Sequence, residues 1–83
     1  MGQAWLKCRV HRGMFSDELN VVVTASDGEA ISFFVPRDSV RGEVEQEGNV
    51  RVGLVREDSA VWAVLPNETQ SLVAVEDSQL VAA

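Results

Sequence analysis

The chain has one cysteine, two prolines and no tyrosine among its 83 residues. A lone cysteine excludes an internal disulfide framework, and Cys8 with His11 falls short of the ligand set of a structural zinc site. Two prolines leave no proline-rich linker or low-complexity tail. No apolar run reaches the roughly 18–20 residues that cross a bilayer. The opening Met1-Gly2-Gln3-Ala4-Trp5-Leu6-Lys7 lacks the charged region, apolar region and cleavage site of an export signal. These absences lead to the expectation of a cytoplasmic protein with a reduced Cys8 and no membrane association.

Bases are also scarce. Thirteen acids against seven bases give a formal charge of −6. Residues 1–42 sum to zero, so the whole excess lies in residues 43–83. Such a field repels a phosphate backbone, and nucleic acid is not the expected partner. Catalytic groups are few. Cys8 and His11 are three apart on one predicted strand, so they face opposite ways and cannot form a nucleophile–base pair. The acid pairs Asp17-Glu18, Glu57-Asp58 and Glu76-Asp77 fall in polar turns, where carboxylates stay ionised. No Gly-rich phosphate loop and no Gly-x-Ser-x-Gly motif is present. The expectation is a non-enzyme with no cofactor, no metal and no catalytic residue.

What the chain does have is strand pattern. Apolar residues make up 46% of it, enough for a folded domain, and short valine-rich runs are cut by turn residues every eight to twelve positions. Six strands are expected, at residues 5–11, 19–24, 30–35, 50–55, 60–65 and 70–75. Alternation points Leu6, Cys8, Val10, Leu19, Val21, Val23, Ile31, Phe33, Val35, Val50, Val52 and Leu54 inward. It leaves Trp5 and Phe34 outside; Trp62 is ambiguous and is assigned to the interior. Residues 26–29 read as a hairpin turn, 37–40 as a tight turn of 3-10 type, and 43–48 as either a charged edge strand or an irregular connection. Leu80-Val81 is expected to return as a closing apolar contact.

The chain also reads as written twice. Arg9-Val10, Val22-Val23, Ser32-Phe33-Phe34-Val35 and Asp38-Ser39 recur as Arg51-Val52, Val61-Trp62, Ser71-Leu72-Val73-Ala74 and Asp77-Ser78. The offset is 42 residues at the start and 39 thereafter, a difference taken up in the loop after the first strand. Residues 9–42 and 51–83 are therefore a candidate internal repeat within one domain spanning 1–83. So short a chain must curl its strands around one interior, which predicts an all-β, six-stranded small barrel, SH3-like or related. The competing arrangement is a homodimer with swapped three-stranded units.

Function is expected to lie in protein contacts, with another chain or with a second copy. The candidate interaction residues are Trp5, Arg9, Arg12, Met14, Phe15 and Phe34. Met14 and Phe15 stand in the first loop, bracketed by charge, and serve either as a recognition tip or, the favoured expectation, as a lid over an open barrel end. The alternative function is a small-ligand or nucleic-acid-binding barrel that uses Lys7, Arg9, Arg12 and outward aromatics.

Overall fold

The computed structural model describes residues 2–67 and 69–82. Its strands are β1 (Gly2–Arg12), β2 (Glu18–Thr24), β3 (Ala30–Pro36), β4 (Val40–Arg41), β5 (Glu47–Glu57), β6 (Ala60–Val64), β7 (Leu72–Ala74) and β8 (Leu80–Ala82). Short 3-10 helices at Arg37–Ser39 and Asp77–Gln79 lead into β4 and β8. All pairings are antiparallel, in the order β3-β2-β1-β5-β6-β7, with β4 added to β5 and β8 added to β1.

The centre of the sheet is the pairing of β1 with β5, from Gly2 opposite Leu54 to Arg9 opposite Glu47. Both strands are 11 residues long. At about 3.4 Å per residue each spans about 35 Å, which accounts for most of the 40 × 21 × 21 Å molecule. On its other edge β1 first pairs with β8, at Ala4–Leu6, and then with β2, at Arg9–Arg12. β5 likewise pairs with β4 at Asn49–Val50 and with β6 at Gly53–Glu57. The long strands thus curl the sheet around a single core.

Alternation places that core as the pattern predicts. Leu6, Val10, Val21, Val23, Val50, Ala63 and Leu65 are fully buried, joined by Cys8, Leu19, Phe33, Val35, Val52, Val61, Val73 and Val75. Leu54 and Ile31 pack against this cluster while partly exposed. Trp62, assigned above to the interior, faces outward at 36% exposure. Val61, Ala63 and Leu65 take the inward positions of that segment, so its parity is the opposite one.

Local chemistry explains the turns. In the β2–β3 hairpin the Asp27 carboxylate accepts from the Glu29 N–H at 2.9 Å, and Gly28 adopts φ 93°. Pro36 ends β3, because it has no N–H to continue the ladder. After β6 the Asn67 Oδ1 accepts from the Ser71 N–H at 3.0 Å, which shapes the loop leading into the three-residue β7. Residues 43–46 form an irregular connection with Glu45 at φ 67°, and Glu47 already belongs to β5.

The barrel does not close. β3 and β7 end the strand order without pairing, and the sheet is an open, curled half-barrel. The Ser26 N–H does bond the Ala74 carbonyl at 2.8 Å, but this joins the β2–β3 turn to β7 rather than edge to edge. A three-residue β7 offers too short a ladder for closure.

Gly48 is where β1, β4 and β5 come closest. A Cβ there would overlap the Arg41 carbonyl and crowd the Val10 side chain. Gly48→Ala should therefore cost about 3 kcal/mol, as overpacking of a tight core does. Gly28→Ala meets open space and should cost only about 1–2 kcal/mol for its positive φ. Urea denaturation of the two variants tests that order.

Candidate functional site

Three surfaces carry the candidate residues. The first is the tip of the β1–β2 hairpin. Met14 and Phe15 are 76% and 68% exposed, so they do not form the expected lid. The reason is local: the Glu18 carboxylate accepts from the Met14 N–H at 3.2 Å, and the Glu18 N–H bonds the Phe15 carbonyl at 3.2 Å. These bonds close the loop on itself. Gly13 packs so tightly on the Glu18 backbone that no Cβ would fit. Phe34, 48% exposed on the outer face of β3, borders a shallow groove with Asp17, Glu18 and Pro36 at the hairpin's base.

The second surface is the outward face of the β1–β5 pair. Trp5 stands on it by parity, outside the core cluster, yet is only 4% exposed. The expectation of an exposed Trp5 is thereby corrected. Its cover is two guanidinium groups, with Arg41 at 4.1 Å and Arg51 at 5.1 Å from the ring centroid. Arg51 is the cross-strand partner of Trp5, and Arg41 reaches over from β4, where it pairs with Asn49. The ring's π face attracts both cations. Asn49, the β5 partner of Lys7, has a buried Oδ1 with no hydrogen-bond partner among the described residues.

The third surface is a groove of about 420 Å³ on the same face, lined by Lys7, Cys8, Arg9, Val22, Thr24, Glu47 and Gln79. It lies where β1 has left β8 and not yet met β2. Gln79 ties its rim together: its Nε2 donates to the Thr24 carbonyl at 2.6 Å, and its Oε1 accepts from the Glu76 N–H at 2.8 Å. Arg9 donates to the Glu45 carbonyl at 3.1 Å, and the Glu45 carboxylate lies 3.5 Å from His11 Nδ1. Lys7 and Arg9 share this face, whereas Arg12 has the opposite parity and lies beyond the core. The basic set of the alternative reading, Lys7, Arg9 and Arg12, is therefore divided between two faces.

Cys8 is buried, and that burial pushes its thiol up to about 11. His11 is on the other side of the strand, as parity requires. Among the described residues no group of three or more His, Cys, Asp and Glu side chains could hold a metal ion. Among them too, no helix is long and apolar enough to cross a membrane.

Strand parity alone could have marked Arg51 as outward, beside Val50 and Val52 inward. Nothing in the sequence set the register that brings Arg51 opposite Trp5, so the covered tryptophan was not foreseen. Comparison with protein-family models, curated proteins and solved structures returns no match, and the three surfaces stand on their own geometry.

Two measurements follow. Acrylamide quenching should divide the fluorescence into an accessible Trp62 and a protected Trp5, and Trp62→Phe should abolish the accessible fraction. Cys8 has its second test in pH dependence. Its folded pKa lies above the ordinary 9.0, so the protonated thiol favours the fold. This contribution is complete below about pH 9 and is lost as pH rises to about 11. Urea titrations should show that loss in the native chain and a smaller one in Cys8→Ala.

Proposed function

We propose that this domain is non-catalytic and binds another protein through the tip of its first hairpin. The observation that carries the reading is the exposure of Met14 and Phe15 on a loop already shaped by Glu18. Large apolar side chains presented on a pre-formed loop bind at a low ordering cost. Phe34 presents a further exposed apolar side chain on β3, and Arg12, exposed two residues before Met14, supplies a charge beside the tip. The buried, protonated Cys8 and its separation from His11 favour a role without chemistry. A lone unpaired thiol also suits a reducing compartment such as the cytoplasm.

A second copy of the chain is the alternative partner, favoured by β3. This free edge strand carries no charged residue, and exposed uncharged edges invite pairing. The matching element order of the two halves, three strands, a 3-10 helix and a short strand, supports the reading of residues 9–42 and 51–83 as a repeat.

The double variant Met14→Ser/Phe15→Ser separates recognition from folding. Truncating two exposed residues should change stability by no more than about 0.5 kcal/mol. Loss of two anchors should weaken partner capture by about 2 kcal/mol or more. Capture from cells of the source, with melting of the same variant, reads both quantities. Undiminished capture, or a large fall in melting temperature, would remove the tip from its proposed role. Sedimentation equilibrium of the native chain then distinguishes a second copy, with mass above 9.1 kDa, from a different protein.

A further inference from the structure

The groove beside β1 has no part in hairpin-tip recognition, and its chemistry differs from that of the tip. Lys7 and Arg9 line it side by side, two positions apart on one face of β1. Among the described residues neither makes an ion pair with a carboxylate. Arg9 uses one N–H on the Glu45 carbonyl and keeps the rest of its fork.

The edge of β1 is open at this point. Pairing to β8 ends at Leu6 and pairing to β2 begins at Arg9, so Lys7-Cys8 has no strand beside it on that edge. Thr24 contributes a hydroxyl-bearing side chain and Val22 an apolar wall. Across the same face Arg41 and Arg51 add positive potential from beyond Asn49. One acid opposes them in the groove, Glu47, the cross-strand partner of Arg9; the Glu45 carboxylate is turned to His11.

We infer that this groove binds a small phosphate monoester, with Lys7 and Arg9 on the phosphate. An ammonium point charge beside a guanidinium fork suits a tetrahedral oxyanion, and the Thr24 hydroxyl adds a donor to its shell. The groove's volume of about 420 Å³ exceeds the space of a bare phosphate, and Val22 gives the organic portion an apolar surface. Glu47 limits affinity by repelling the anion.

The test is a titration of the full chain, followed by the backbone amide resonances, with inorganic phosphate and with adenosine monophosphate against chloride at equal ionic strength. Saturable shifts should centre on Lys7–Arg9, Val22–Thr24 and Gln79, with the monoester binding more tightly than inorganic phosphate. Lys7→Gln or Arg9→Gln should each weaken binding about tenfold, the loss of one charge-assisted hydrogen bond. Glu47→Gln should act in the opposite direction and strengthen it. Because this last variant gains affinity, unfolding cannot mimic its effect. Shifts no larger than with chloride, unchanged affinity in Lys7→Gln, or a monoester no tighter than inorganic phosphate would overturn the inference. So would binding of a single-stranded oligonucleotide alone that tolerates Lys7→Gln and depends on Arg41. Hairpin-tip variants should bind the monoester normally, which keeps this result separate from partner recognition.

Discussion

The fold depends on the antiparallel pairing of β1 with β5, the longest of the ladders that join the two halves of the chain. Each strand gives one edge to the other and divides its second edge between two partners. β1 serves β8 and β2, and β5 serves β4 and β6. A flat strand cannot do this, because the two partners on each second edge belong to different parts of the curl. The strands must therefore twist and bend along their length. The inward residues of the crossing, Leu6, Val10, Val50 and Val52, then contact side chains from both halves of the chain. Disrupting the crossing would separate two small three-stranded units, neither of which holds enough apolar surface to stand alone.

The same geometry makes the outward face unusual. At the crossing a convex surface lies far from the core, and Trp5 sits at its middle. Exposing an indole there would forfeit a large hydrophobic gain. Arg41 and Arg51 resolve this without a second layer of structure. Their guanidinium groups lie over the ring, and each cation–π contact contributes about 0.5–1 kcal/mol at such a site. A consequence is that positive charge gathers on one face of a chain whose formal charge is −6. The break between β8 and β2 opens beside that charge. A groove with Lys7 and Arg9 on its wall is thus a by-product of how β1 changes partners.

Local pattern was legible in the sequence, and long-range register was not. Alternation in Leu6-Lys7-Cys8-Arg9-Val10 and in Leu19–Val23 marked the inner face correctly, because one side of each strand meets only apolar neighbours. Asp27-Gly28 and Pro36 punctuated the hairpin and the strand end by their own backbone chemistry. Closure was misjudged because it depends on how far β7 extends, and β7 is only three residues long. Trp62 was misplaced because Val61-Trp62-Ala63-Val64 is apolar at every position and carries no period. Met14 and Phe15 were expected as a lid on composition, whereas the bonds of Glu18 hold the loop away from the core. The groove itself joins β1, β2, β5 and the turn before β8, and no local window contains that combination.

The open sheet has two free edges, and they are not equal. β7 offers three residues, and its Ala74 carbonyl is already bonded by the Ser26 N–H from the β2–β3 turn. β3 offers seven residues, Ala30 to Pro36, with no charge among them and one proline at the far end. Lysines, inward charges and bulges are the usual protection of such an edge. None stands on β3. The net charge of the chain does resist association at long range, but salt screens that repulsion beyond about 8–10 Å, so it acts weakly at a neutral edge in contact. An added strand, from a partner or from a second copy, therefore meets resistance at β7 and little at β3. The Phe34 side chain on β3 and the hairpin tip beyond Glu18 lie toward that same side of the sheet. On the proposed reading, a partner engaging the tip would meet this unprotected edge nearby.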